Sequence, residues 1–125
     1  MTDNHGVKVL VADDDGPFCD MMKAVLRMAS YVGEVRTAQR GLLALDTCVS
    51  FSPDVVFIDS LMPAMDGGVL GSNVRKLLPD ARLVSISGNP AKQVPAWADL
   101  HVMKNGDLFN RLQAVVLGEL DRTRT

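Results

Sequence analysis

Four short apolar runs each end in residues able to do chemistry. Asp13-Asp14-Asp15 follows Val7–Ala12, Asp59 follows Val55–Ile58, Ser87-Gly88 follows Leu83–Ile86, and Lys104 follows Leu100–Met103. Taken singly these are ordinary: an acidic run after a strand is commonly a helix cap, and a strand-end Lys is commonly solvated. Their recurrence at corresponding positions carries the argument. Carboxylates packed together repel one another and hold on to protons unless a cation joins them. Oxygen ligands with open coordination positions suit Mg²⁺, which keeps several waters and takes a phosphate oxygen. An amine and a hydroxyl on the far side would hold the remaining oxygens of a phosphoryl group. The set suits phosphoryl chemistry with an Asp as nucleophile.

The elements that must bring these residues together follow from the apolar pattern. The four runs are rich in Val, Ile and Leu and bounded by polar or Gly/Pro residues, as buried parallel strands are. Glu34-Val35-Arg36-Thr37 alternates like a more exposed strand. Phe18, Met21, Met22, Val25, Leu26 and Ala29 draw one apolar stripe at helical spacing, with Asp15 placed to cap that helix and Pro17 in its first turn. Gln39–Val49, Gly67–Leu78 and Asp107–Leu120 read as further helices, and Pro90–Ala98 as a short one that Pro95 interrupts. The polar end, from Asp121 to Thr125, reads as frayed. Strands alternating with helices predict an α/β fold, a doubly wound parallel sheet covered on both faces. In such sheets ligands bind outside the carboxyl ends of the strands, where all the reactive residues fall.

Composition narrows the classes. With 125 residues the chain fits one domain, 1–125, with no separate output domain expected within it. Hydrophobic residues make up 47% and charged residues 22%, which argues against disorder. Thirteen Lys+Arg against fifteen Asp+Glu, without a basic cluster, gives no support to nucleic-acid binding. No run is long enough for a membrane span, and the first residues lack the pattern of a signal peptide. Cys19 and Cys48 form no C-x-x-C pair and read as reduced thiols on amphipathic helices, consistent with a cytoplasmic protein.

These residues resemble the receiver domain of two-component response regulators. The matching pieces are Val9-Leu10-Val11-Ala12-Asp13-Asp14, Asp59 followed by Met62-Pro63-Ala64-Met65-Asp66-Gly67, Ser87-Gly88, and Lys104. The turn after the strand-end Asp is the most specific of them. The resemblance implies a flavodoxin-like (βα)5 fold with strand order 2-1-3-4-5. It implies that Asp59 accepts a phosphoryl group from a histidine kinase or phosphotransfer protein. Mg²⁺ would be ligated by Asp14, Asp59 and the backbone carbonyl of Leu61, with Asp13 acting through water. Lys104 would pair with Asp59 at rest and with a phosphate oxygen afterwards. Ser87 would move to the phosphoryl group, transmitting the switch to an output protein that the sequence does not name. The chain would be a phosphoacceptor rather than an enzyme with a separate substrate, and a monomer or weak dimer, with the face around Pro90–Leu120 as the dimerisation surface.

Four positions depart from the family pattern. Asn105 follows Lys104 where the family usually has Pro in a cis peptide, so a trans bond and an altered loop are expected. His101 stands at the switch position, where the family usually has Tyr or Phe, and offers a pH-sensitive rotamer against the plainer reading of a partly exposed polar residue. Pro95 shortens the helix before the fifth strand. Leu61, apolar and two residues after Asp59, is placed to hinder an attacking water and lengthen the phosphorylated state. Two rival readings stand beside this one. Asp13-Asp14-Asp15-Gly16 also looks like the D-x-D-G start of haloacid-dehalogenase-type phosphatases, with Asp13 as nucleophile and Asp59 left without a role. The altered output face also suits a receiver-like interaction module that works without phosphorylation.

Overall fold

The computed structural model describes residues 6–62, 67–88 and 94–124. Their order is β1 (Val7–Ala12), α1 (Gly16–Leu26), β2 (Val32–Ala38), α2 (Gly41–Phe51), β3 (Val55–Asp59), α3 (Gly67–Leu77), β4 (Arg82–Ser87), β5 (Leu100–Met103) and α4 (Leu108–Arg124). The strands form one parallel sheet in the order β2-β1-β3-β4-β5, as expected.

Successive strand side chains point to opposite faces, and both faces are dry. Val7, Val9 and Val11 of β1, with Phe57, Val84 and Ile86, pack against Cys19, Met22 and Leu26 of α1 and Leu108, Leu112 and Val116 of α4. Leu10, Ala12, Val56, Ile58 and Leu83 pack on the other face against Ala44 and Cys48 of α2 and Leu70 and Val74 of α3. The edge strand β2 keeps only Val35 and Ala38 buried, in keeping with its alternating sequence.

Local signals set most boundaries. The Asp15 carboxylate accepts from the Phe18 N–H at 3.1 Å and caps α1, with Pro17 in the first turn. Helix α2 lies two residues later than the apolar spacing predicts. Arg40 is extended at its N-terminus, and Ser52 closes it in the left-handed region (φ 50°) with its N–H on the Cys48 carbonyl. At the far end α4 runs on to Arg124, where a frayed tail was expected; backbone hydrogen bonds sustain a helix without an apolar stripe where no Gly or Pro intervenes.

Between β4 and β5, residues 89–93 of the expected Pro90–Ala98 helix lie outside the described residues. Its remainder is a turn, with the Ala98 N–H on the Pro95 carbonyl at 3.0 Å. The sheet face there is covered by Trp97, 7% exposed, whose indole lies directly on Gly71 of α3. Arg75 holds this turn: its guanidinium donates to the carbonyls of Trp97 (2.9 and 3.1 Å) and Ala81 (3.0 Å) and pairs with Asp99 at 3.0 Å. The Asp99 carboxylate also accepts from the Leu83 N–H at 2.8 Å. Burial works against its charge, but these donors outweigh it and hold its pKa below the usual carboxylate value.

A Cβ at position 71 would overlap the Trp97 ring. Gly71→Ala is therefore expected to destabilise the fold by about 1–3 kcal/mol despite the better helix propensity of Ala. Urea unfolding read by far-ultraviolet circular dichroism measures this in every variant, including those that lack Trp97, the sole tryptophan of the chain. The double variant Gly71→Ala/Trp97→Leu should lose less than the sum of the single changes, and full additivity would refute the contact.

Candidate functional site

The reactive residues meet at the carboxyl edge of the sheet because backbone hydrogen bonds carry each strand end to its neighbour. The Asp13 N–H donates to the Ala38 carbonyl (3.0 Å), Ser60 to Ile86 (3.0 Å) and Lys104 to Ser87 (2.8 Å). This brings Asp13 after β1, Asp59 at the end of β3, Ser87 at the end of β4 and Lys104 after β5 to one edge.

The two buried acids are held alike. Asp13 Oδ1 accepts from the Asp15 N–H at 2.9 Å, and Asp59 Oδ1 accepts from the Leu61 N–H at 3.0 Å. Each turn thus occupies one carboxylate oxygen. The other oxygens face one ammonium: Lys104 Nζ lies 2.6 Å from Asp13 Oδ2 and 4.0 Å from Asp59 Oδ2. Lys104 was expected to pair with Asp59 and sits closer to Asp13. Asp13 is wholly buried, so its charge has no water to turn to, and the ammonium settles where it is needed most. The contact is an ion pair rather than an aligned hydrogen bond, so Asp13 Oδ2 is a buried oxygen without a hydrogen-bond donor.

Asp13, Asp14 and Asp59 each offer a carboxylate oxygen, and these lie within 4.8 Å of one another. Burial pushes the Asp59 carboxyl above its ordinary pKa, and the charge of Asp13 and a hydrogen bond to Asp14 push the same way. The Leu61 N–H and Lys104 oppose them without prevailing. A cluster made only of oxygen donors, in which the buried Asp13 Oδ2 accepts no hydrogen bond and Asp59 is short of a countercharge, fits a hard divalent cation such as Mg²⁺.

Leu61, expected to lend its carbonyl, lies two residues after Asp59 in the turn, and its side chain is 67% exposed beside the pocket. Residues 63–66 of the specific turn lie outside the described residues, while Met62 is buried in the core. Among the described residues no peptide is cis, so the Lys104–Asn105 bond is trans as expected. Asn105 instead closes the turn that leads into α4, its side chain accepting from the Asp107 N–H at 3.0 Å and its carbonyl from the Leu108 N–H at 3.0 Å. His101 is partly exposed, and its ring is hydrogen-bonded: Nδ1 is 2.8 Å from Ser85 Oγ and Nε2 3.4 Å from Ser87 Oγ.

Three neighbours of the site were not singled out from sequence. The Phe18 ring lies under the Lys104 ammonium, 4.2 Å from centroid to Nζ, although its spacing marks it only as core. Ser85, wholly buried in β4, was signalled only by being a hydroxyl within an apolar run. Cys19 Sγ donates to the Asp13 carbonyl at 3.2 Å, and burial, aided by the charges of Asp13, Asp15 and Asp20, pushes its thiol up to about 11.

Comparison with known proteins agrees with this architecture. The family model described as the response regulator receiver domain matches residues 9–104. A protein-glutamate methylesterase/protein-glutamine glutaminase of Pseudomonas fluorescens Pf-5 is 43% identical over 61 residues, which are 49% of this chain and 16% of that protein. The matched part of the chain thus spans about one sixth of the length of that relative. A CheY-like receiver domain protein of Methanospirillum hungatei superposes with a TM-score of 0.83 at 22% identity, covering 95% of this chain and 97% of that one. The response regulator domain of Thermotoga maritima CheB gives a TM-score of 0.81 at 18% identity, covering 94% and 98%. Two acids at the ends of β1 and β3, a hydroxyl after the neighbouring strand and a lysine beyond it stand in the matched span, and the chain belongs to the response regulator receiver domain family.

Proposed function

We propose that this receiver domain takes a phosphoryl group onto Asp59 from a histidine kinase or phosphotransfer protein and so changes its affinity for an output protein. The observation that carries this reading is the pairing of Asp13 and Asp59. Each has one oxygen tied to the backbone and one turned toward the same ammonium. The untied Oδ2 of Asp59 is the nucleophile: its bond to phosphorus forms as the bond from phosphorus to the donor's leaving atom breaks. Lys104 is close enough to both carboxylates to follow the charge onto a phosphoryl oxygen, and Phe18 carries the ammonium while it moves. Ser87, buried at the end of β4, is the hydroxyl that turns toward the new group.

Asp13, Asp14, Asp59 and the backbone carbonyl of Leu61 would hold Mg²⁺. When bound, the ion supplies positive charge that offsets the clustered carboxylates and the phosphoryl oxygens in the transition state. The exposed Leu61 side chain beside the pocket would slow the approach of water to the acyl phosphate.

Intact mass after incubation with Mg²⁺ and acetyl phosphate tests the reading. Wild type is expected to gain one phosphoryl group, and Asp59→Asn none. Addition surviving in Asp59→Asn would move the nucleophile to Asp13 and favour the phosphatase reading. No addition to either protein, with acetyl phosphate or with a phosphorylated kinase, would favour the phosphorylation-independent module. Within the same framework, Leu61→Gln is expected to shorten the half-life of the phosphorylated protein, followed by mass after removal of the donor. An unchanged half-life would release Leu61 from that role.

Thermal unfolding gives an independent check through the raised pKa of Asp59. The folded state binds this proton more tightly than the unfolded state, in which the pKa is about 3.9. Stability is therefore lost as pH rises through the folded value, and the penalty is full at neutral pH. Asp59→Asn, which keeps an oxygen for the Leu61 N–H, should melt higher than wild type at pH 7 without Mg²⁺, with the gap closing below about pH 4. Mg²⁺ at a hundred times its Kd should stabilise wild type by about 2.7 kcal/mol and Asp59→Asn far less. Equal stabilisation of both proteins would place the ion elsewhere.

A further inference from the structure

Ser85 and Ser87 lie two residues apart on β4 and so project to the same face, with Ser85 opposite His101 across the β4–β5 ladder. The imidazole spans both hydroxyls, with Nδ1 2.8 Å from Ser85 Oγ and Nε2 3.4 Å from Ser87 Oγ. A neutral imidazole carries one N–H and one lone pair, so one end donates and the other accepts. Which end does which follows from Ser85. Its side chain is wholly buried, and His101 Nδ1 is its hydroxyl's partner among the described residues. A buried O–H left without an acceptor costs more than a hydroxyl lone pair left unused. Ser85 therefore donates, Nδ1 accepts, and the ring hydrogen resides on Nε2. That N–H is aimed at Ser87, which accepts it, and the hydrogen of Ser87 is not committed to His101.

We infer that Ser85 and His101 are positioning residues that keep Ser87 a hydrogen-bond donor toward the group on Asp59. The inference rests on the proposed role of Asp59 as phosphoacceptor. The chain runs Ser85 O–H to Nδ1, Nε2–H to Ser87 Oγ, and Ser87 O–H to a phosphoryl oxygen. No proton changes its parent atom, so the chain orients hydrogens without moving charge. The opposite tautomer would draw the Ser87 hydrogen onto Nε2 and present only oxygen lone pairs to an anion. The fully buried hydroxyl at position 85 excludes that state by holding Nδ1 as an acceptor. Tyr or Phe at position 101 offers no ring nitrogen to this arrangement, so it is a property of the Ser85–His101 pair in this chain.

The experiment combines a spectroscopic and a kinetic arm. Long-range ¹H–¹⁵N correlation on the full chain reads the ring tautomer directly, with His101→Phe distinguishing the signals of the two histidines, His5 and His101. The Nε2–H tautomer is expected in wild type and a mixture in Ser85→Ala; the Nδ1–H tautomer in wild type would overturn the inference. In the kinetic arm, the rate of Asp59 phosphorylation by acetyl phosphate with Mg²⁺ is measured for wild type, His101→Phe, Ser87→Ala and the double variant. His101→Phe is expected to lose about three- to tenfold, the worth of one hydrogen bond, and Ser87→Ala at least as much. The double variant should be no slower than Ser87→Ala, because His101 acts through that hydroxyl. Additive losses, or no loss in His101→Phe, while wild type still gains a phosphoryl group by mass, would overturn the relay alone. Failure of wild type to gain any group would overturn the phosphoacceptor reading and the kinetic role together.

Discussion

One imbalance governs the molecule: among the described residues, three carboxylates share a corner of the sheet with a single ammonium. Two of the acids are buried, and a buried carboxylate without a partner is among the costlier things a fold can contain. Lys104 cannot satisfy both at close range, and it stands on Asp13, leaving Asp59 short of charge. Burial, with the charge of Asp13 added to it, raises the proton affinity of Asp59, and the distant ammonium does not offset it. Any positive ion or any relocation of the lysine redistributes that deficit of charge, and so the pocket responds to small changes in charge.

The scaffold tolerates this because structure and chemistry use different atoms. One oxygen of Asp13 and one of Asp59 close tight turns with backbone N–H groups, while the other oxygen of each faces the pocket. Ladder-like bonds from Ser60 to Ile86 and from Lys104 to Ser87 fasten those turns to neighbouring strands. Both faces of the sheet beneath are dry, so the strand ends have a rigid base. Where an expected helix is lacking among the described residues, Trp97, Gly71 and Arg75 cover the face instead.

Much of this is legible in the sequence. Strands buried on both faces read as unbroken apolar runs, and the residue after each run falls at the carboxyl edge, so Asp13, Asp59, Ser87 and Lys104 were found without a structure. What escaped reading depends on depth or on distant contact. That Lys104 prefers Asp13 follows from the complete burial of Asp13, which the run Asp13-Asp14-Asp15 does not disclose. Phe18 belongs to the same apolar stripe as Met21 and Met22, and nothing in its spacing tells a ring beneath an ammonium from one in the core. The Trp97–Gly71 contact joins segments far apart in the chain. Ser85 is the exception, since a hydroxyl inside an apolar strand was a visible signal that its pairing with His101 explains.

Cys19 shows what burial beside the pocket does to a reactive group. The thiol lies against the main chain of Asp13, and burial with nearby acids pushes its pKa up to about 11. Cys48, raised by burial alone, reaches the same value, so depth is the main cause and the acids only add to it. Reaction with peroxides and disulfides requires the thiolate, which such burial suppresses. The dry base that holds the strand ends in place thereby also keeps the sulfur nearest the site out of redox chemistry.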